Sequence, residues 1–429
     1  MKIKCLLVLS ILIISSVFVS NAFALEKNFK SDFKANSDEY DMVIISQNIF
    51  KSTLEPLIEH KNFHGVKTYF KDVKEIYRQY SGRDRQEQIK YFIKDAIETK
   101  NISYVLIVGH ILHVPMRKIT DRGIRLEDDY VQLSVDLYYS DIYDENGNFC
   151  SWDINNNNLF GEYQRLGDDY YDNVTYNNID ELDLYADVHL GRIPCLFIKD
   201  LQIVVDKIIK YENSAYASDW FKKIILVGGD TAAIDSRWGE ILTGIIGKQM
   251  EKHGFENIKL WHSKNNMRII CFNYQMSQGA GFMVYSGHGG TIGLQGDWPF
   301  AYFNHNLLGL RNKEKLPIVF FHACLTANPD LLVSPFAYNI VKKANGGAIA
   351  AIGATSLEYI GQNLTTAEPE REGAYLTVKF FENYEPQITV GEMLTNAQND
   401  YLDDLFRDPM TIGEFILIGD PSLKVGGYP

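Results

Sequence analysis

Cysteine is scarce in this chain. Of five cysteines in 429 residues, Cys5 falls in an apolar leader, which leaves Cys150, Cys195, Cys271 and Cys324. Four thiols in a chain of this length do not make a disulfide-built scaffold, and the sequence leaves open whether two of the first three pair. No Cys-x-x-Cys occurs, so a structural zinc site has no framework. Basic patches are also missing. The formal net charge is −13 and no run of Lys and Arg could bind phosphate, which argues against nucleic acid as a partner. Beyond the leader, no apolar run is long enough to cross a bilayer.

The leader itself is a targeting segment. Lys2 and Lys4 give a basic start, Leu6 to Val19 is apolar, and Ala22-Phe23-Ala24 is a small-x-small cleavage site. Residues 1–24 therefore read as a secretory signal peptide. The mature protein is expected to be secreted, periplasmic or extracellular, with no stable membrane span once the signal is removed. The 46% hydrophobic content suffices for a core, and about 400 residues allow two domains or one large two-part unit.

Residues 25–40 are polar and read as an N-terminal arm. An α/β block follows over 41–215. Met42–Ile45 is an apolar run, Leu54–Lys61 and Gln86–Thr99 carry helical periodicity, and Tyr104–Val108 is a short buried strand. Between Arg117 and Asp187 the pattern gives way to a Tyr-, Asp- and Asn-rich, loop-rich insertion. A second block, 216–429, starts with the strand Lys223–Val227 and a helix over Gly239–His253. It continues through two further strands that end near His288 and Cys324, a helix over Leu331–Ala344, and a last strand, Glu414–Ile418, that closes the sheet. Alternating strands and helices predict an α/β fold with open, mostly parallel sheets.

Two segments carry the chemistry. Phe282-Met283-Val284-Tyr285-Ser286 runs into Gly287-His288-Gly289-Gly290, and Leu316-Pro317-Ile318-Val319-Phe320-Phe321-His322 runs into Ala323-Cys324. Each is an apolar run of strand length that stops at one reactive side chain. Their separation suits a strand-loop-helix crossover between neighbouring parallel strands, and working residues in such sheets lie past the carboxyl ends of strands. A thiol with a nearby imidazole is the minimum for nucleophilic catalysis: Cys324 attacks, and His288 takes and returns the proton. Gly289 has no Cβ, so its N–H can approach a substrate carbonyl and, with that of Cys324, form an oxyanion hole. Either residue alone would more simply be a core cysteine or a turn histidine. Their matching positions turn the balance towards chemistry. His322 shares the thiol's face two residues earlier and reads as a neighbour that tunes the pocket.

These segments resemble the shared pattern of caspases, legumains and gingipains, and the chain is most similar to the gingipain-type cysteine peptidases. The likeness extends to Tyr104-Val105-Leu106-Ile107-Val108-Gly109, to Asp183 through Pro194 and to Gly419-Asp420-Pro421-Ser422-Leu423. It implies a caspase-like fold of two subdomains, the second catalytic, with Cys324 as nucleophile and His288 as base. It also implies a carboxylate that orients the imidazole, at Asp230, where a helix or turn cap is an equal reading. A preference for basic P1 residues would be read by Asp235 or Glu240. Two departures stand out: Ala327 occupies the position where gingipains carry Gly, and Gly109 is followed by His110 rather than Asp.

Within Trp152–Glu162, Asp153, Asn155 and Asn157 stand at alternate positions, with Leu159 offering a main-chain carbonyl and Glu162 closing the set. This alternation admits a structural calcium ion, because every second oxygen points inward; an Asn-rich surface loop without an ion fits the same residues. No organic cofactor is implied. The sequence reading is thus a secreted cysteine endopeptidase acting on protein or peptide substrates through a thioester. The alternatives are an inactive gingipain-like binding protein, or a transpeptidase that resolves the same intermediate with an amine.

Overall fold

The computed structural model describes residues 39–122, 131–166, 175–229, 237–296, 299–329, 333–359, 361–363, 366, 368–405 and 408–429. Residues 1–24, read above as a signal peptide, and all but the end of the expected N-terminal arm lie outside them, as do Asp230 and Asp235. Tyr40–Pro429 forms one unit.

The short Val/Ile/Phe-rich runs become strands of a single large sheet. Its members are β1 (Met42–Ser46), β2 (Thr68–Asp72), β3 (Tyr104–Val108), β8 (His189–Ile193), β9 (Lys223–Gly228), β10 (Glu256–Trp261), β11 (Phe282–Ser286), β15 (Ile318–His322), β16 (Ala350–Ala354) and β17 (Phe415–Ile418). Among the described residues the order is β10-β9-β11-β15-β16-β17-β8-β3-β1-β2. β1, β3, β9, β11, β15 and β16 are buried almost throughout. This is what a parallel sheet covered on both faces requires, and it is why these runs lack polar alternation.

β17 does not close an edge. It lies at the centre, antiparallel to β16 and touching β8 through Arg192 and Ile418, so the last strand of the chain joins the sheet's two halves. Residues 41–215 supply β1, β2, β3 and β8, and 216–429 supply the rest. The seam is fixed by close packing: a Cβ on Gly191 would lie 2.5 Å from the Gly419 carbonyl oxygen. Beyond it, Lys61 is fully buried and pairs with Glu212 (2.7 Å) and Asp420 (2.8 Å), tying two helices to the Gly419-Asp420-Pro421 turn. Arg192 is likewise buried and forks onto Asp136 through two 2.6 Å hydrogen bonds. Both are charge-assisted contacts that offset the desolvation of the ions.

The insertion forms its own four-stranded sheet, β5 (Val131–Val135), β4 (Arg117–Asp121), β6 (Tyr163–Leu166) and β7 (Thr175–Asn178). Two local expectations change. Among the described residues, no α-helix crosses from β11 to β15. That span is a three-stranded antiparallel meander, β12 (His288–Gly290), β13 (Gly293–Gln295) and β14 (Ala301–Phe303), followed by a 3₁₀ helix, Asn304–Gly309. The helix after Cys324 runs only over Phe336–Val341, entered from Pro335, because proline suits a helix start and disfavours helix in the residue before it.

Candidate active site

The carboxyl ends of three neighbouring strands are in register. Gly228 of β9 pairs with Ser286 of β11, and Ser286 pairs with His322 of β15. His288 and Cys324 therefore each stand two residues past the same row. The row is capped from one side by the N-terminus of helix Trp238–Glu251. Gly239 sits so close that a Cβ there would lie 2.5 Å from the carbonyl oxygens of both Gly229 and Ser286, and only glycine allows that approach.

His288 opens β12 and is exposed. It is held by a hairpin rather than by a free loop. The Tyr285 hydroxyl donates to its carbonyl (3.0 Å) and to that of Gln295 (2.8 Å), pinning the first and last residues of the β12–β13 pair. Gly289 then lies directly on the Cys324 turn: a Cβ there would be 2.6 Å from the Cys324 carbonyl oxygen and 2.8 Å from Ala323 Cβ. Gly290 pairs with Gly293 across the two-residue loop Thr291-Ile292, and Gly289 with Leu294.

Cys324 is half-buried and unpaired. The turn beyond it is made by Leu325, whose φ of 59° is costly for a branched side chain, about 1–2 kcal/mol; Leu325 N–H donates to Ser356 O at 2.8 Å. Ala327 is buried, outside the left-handed region, and donates to Ala354 O at 2.9 Å. The turn therefore takes Ala at that position without strain. Burial pushes the Cys324 thiol up to about 11, and the charge of Glu358 adds to the push. The Glu358 N–H donates to the sulfur (3.3 Å), and the thiol faces the Glu358 carbonyl at 3.7 Å.

Glu358 was not visible as a site residue in the sequence. It sits in a segment with no regular structure, thirty-four residues beyond the cysteine. Its carboxylate lies 2.8 Å from His322 Nε2 as an ion-pair contact, and His322 Nδ1 is 2.8 Å from Ser286 Oγ. Burial raises the Glu358 carboxyl, with His322 opposing. Glu414 behind it is raised well above the usual range by burial and by the charges of Glu358, Asp408 and Glu372.

The remaining sequence candidates divide. Glu240 lies at the capping helix's first turn, but its carboxylate accepts from Ser263 N–H (2.7 Å) and Oγ (2.5 Å). It ties that helix to the end of β10. Asp230 and Asp235 lie outside the described residues; by sequence Asp230 follows Gly228 by the same two positions as His288 follows Ser286 and Cys324 follows His322.

Asp153, Asn155, Asn157, Leu159 and Glu162 come together in one loop, but the side-chain oxygens of Asp153, Asn155, Asn157 and Glu162 are engaged. Asp153 accepts from the N–H groups of Asn157 (3.0 Å) and Asn158 (3.1 Å) and meets Arg83 at 2.5 Å. Asn157 Oδ1 accepts from Leu159 N–H at 2.7 Å. Glu162 is paired with Arg122 and accepts from Asn157 and Asn155; against the push of burial, these donors hold its carboxyl below the usual range. Both carboxylates that a dication would need are thus neutralised by guanidinium groups, and as placed the set does not fit calcium.

Residues 35–426 match the sequence profile of Peptidase family C25. Gingipain R2 of Porphyromonas gingivalis (strain ATCC BAA-308 / W83) is 22% identical over 400 residues, which is 90% of this chain and 46% of that protein. Lys-gingipain W83 of Porphyromonas gingivalis is 22% identical over 185 residues, 42% of this chain and 10% of that one. The chain thus spans less than half the length of either curated relative. Among solved structures, the Arg-specific cysteine proteinase gingipain R (RgpB) superposes with a TM-score of 0.64 at 19% identity, covering 91% of this chain and 79% of that one. The complex of Porphyromonas gingivalis RgpB pro- and mature domains gives 0.65 at 19% identity, covering 90% and 79%. At that identity the superpositions show the fold, a caspase-like α/β architecture.

Proposed function

The chain belongs to peptidase family C25, and on that premise we propose that it is an exported endopeptidase with Cys324 as nucleophile and His288 as general base. The observation that carries this reading is the shared register row: Ser286 and His322 are partners, so thiol and imidazole leave the sheet at one height, with Gly289 lying on the Cys324 carbonyl.

A thiol pushed up to about 11 is not a preformed thiolate at neutral pH. The proton therefore passes to His288 as sulfur attacks the scissile carbonyl. The oxyanion that forms is met by the N–H groups of Gly289 and Cys324. Collapse breaks the C–N bond, His288 gives its proton to the leaving amine, and a thioester on Cys324 remains. Water, deprotonated by His288, then hydrolyses it. Asp230 is the proposed partner of the imidazole, on its position two residues past Gly228, the register partner of Ser286. A basic P1 residue is proposed from the family likeness, with Asp235 as its reader; Glu240 is less suited because Ser263 already occupies its carboxylate. The substrates are proteins or peptides.

The test is cleavage of peptides varied at P1 by the mature protein and by Cys324→Ala. Cleavage by wild type alone is the expected result, fastest after Arg or Lys. Equal cleavage by both proteins would sink the mechanism, and faster cleavage after Ala or Asp would sink the basic preference alone.

A further inference from the structure

We propose that His322 and Glu358 are positioning residues, which with Ser286 form a buried tie that fixes the Cys324 turn to the strand carrying His288. This rests on the Cys324–His288 reading above. Ser286 and His322 are 0% and 2% exposed, and the Glu358 side chain is 4% exposed. Buried polar side chains are held in place by their partners. Here the partners run in a line: Ser286 Oγ and His322 Nδ1 hydrogen-bonded at 2.8 Å, His322 Nε2 in close polar contact with Glu358 Oε1 at 2.8 Å without hydrogen-bond alignment, and the Glu358 N–H donating to Cys324 Sγ at 3.3 Å. Space is kept for the carboxylate by Gly373, where a Cβ would come within 2.0 Å of Glu358 Oε1.

The order serine, histidine, carboxylate is that of a hydrolase triad, but burial denies a substrate access to Ser286. What the line reaches instead is the sulfur. His322 anchors Glu358 at one end and Ser286 at the other, so the peptide that donates to the thiol is held at a fixed distance from the strand leading to His288. His322 also stands against the Glu358 charge, which would otherwise oppose ionisation of the thiol.

The charged groups acting on the sulfur and the relay are Glu358 and Glu414, with His322 on Glu358 and with Glu372 and Asp408 around Glu414. The test is the pH dependence of Cys324 alkylation by iodoacetamide, read by mass spectrometry of the Cys324 peptide, together with kcat and KM. In His322→Ala, alkylation at pH 7 is expected to fall about tenfold, while the rate above pH 11, where the thiol is ionised in any case, stays the same. kcat falls and KM does not. His322→Gln, which keeps a donor towards Glu358, is expected to recover most of the loss, and Ser286→Ala to show a smaller loss.

A His322→Ala protein with the wild-type alkylation profile overturns the proposal. So does a folded His322→Gln protein as impaired as His322→Ala, since that outcome reports packing alone. If His322→Ala fails to fold, the Gln and Ser286→Ala variants decide by the same criteria. His288→Ala separates the two readings. If it leaves alkylation and cleavage unchanged while His322→Ala abolishes them, the assignment of the base is what fails.

Discussion

His288 and Cys324 lie the same distance past a pair of register partners, Ser286 and His322, at the ends of adjacent parallel strands. Both strands end at that pair, and each chain bends at the next residue. The pairing register thus sets one starting edge for the two segments, from which the proposed base and nucleophile leave. The hairpin that begins at His288 keeps the imidazole from drifting, through the two carbonyls that share the Tyr285 hydroxyl.

Gly289→Ala tests the proposed oxyanion site. The added Cβ would meet the Cys324 carbonyl at 2.6 Å and Ala323 Cβ at 2.8 Å, so β12 must move away from the turn. The loss should be in turnover, because removal of one well-placed oxyanion donor costs about 10²–10³ in kcat. Peptide-cleavage kinetics beside a melting curve check this. A folded Gly289→Ala protein with wild-type kcat would remove Gly289 from the oxyanion hole.

The strand ends were readable in sequence because buried parallel strands are continuous apolar runs, and Phe282–Ser286 and Ile318–His322 each stop abruptly at polar residues. What lay between them was not. The meander from His288 to Phe303 consists of strands only three residues long, too short to carry a period. The central place of Phe415–Ile418 was hidden because a strand's neighbours are chosen by long-range packing, not by its own composition. Glu358 escaped notice for a related reason. Its role depends on contacts with Cys324 and His322, and nothing in Ser356-Leu357-Glu358-Tyr359 marks a site. Asp153, Asn155 and Asn157 show the converse: the alternation was legible, but the arginines that meet its carboxylates come from elsewhere in the chain.

Stability should fall as pH rises through the region where Asp141 titrates. This carboxyl is buried beside Lys90 and accepts from Trp152 Nε1 at 3.1 Å. Burial pushes it up to about 8, with Lys90 opposing. Its folded pKa thus exceeds the unfolded value of about 3.9. The folded state binds more protons between the two values, so this stabilising contribution is whole below about pH 4 and is lost as pH rises to about 8. Asp141→Asn, which can still accept from Trp152, is expected to flatten that part of the stability–pH curve in urea unfolding. An unchanged slope would place the titration elsewhere.

Lys207 holds the chain end of helix Phe336–Val341. Its Nζ, whose pKa burial lowers to about 7, is surrounded by the carbonyls of Val341 (2.5 Å), Ala348 (2.7 Å), Gly346 (3.0 Å) and Lys343 (3.4 Å). These include carbonyls the helix end cannot satisfy for itself. Lys207→Met keeps the stem and strands those oxygens. At roughly 1–3 kcal/mol for each buried group left unpaired, and with partial relaxation, a loss of about 3 kcal/mol is expected in urea unfolding. Because β16 follows directly at Ala350, kcat should fall less than stability does.

Calcium and two arginines would compete for the same oxygens in the loop Trp152–Glu162. Arg83 meets Asp153 at 2.5 Å and Arg122 pairs with Glu162, so a dication must displace both guanidinium groups before it gains either carboxylate. Of the remaining donors, the Asn155 and Asn157 side-chain oxygens already accept loop N–H groups, which leaves the Leu159 carbonyl. Adding calcium to chelator-treated protein is therefore expected to leave the melting temperature unchanged. In Arg83→Gln/Arg122→Gln the two carboxylates lose their cations and repel each other. That variant should be destabilised without calcium and partly restored by it, in proportion to ln(1 + [Ca²⁺]/Kd). A wild-type melting temperature that rises by several degrees with calcium would show that the ion wins the competition. A double variant indifferent to calcium would show that the loop, with or without its arginines, is not shaped to hold one.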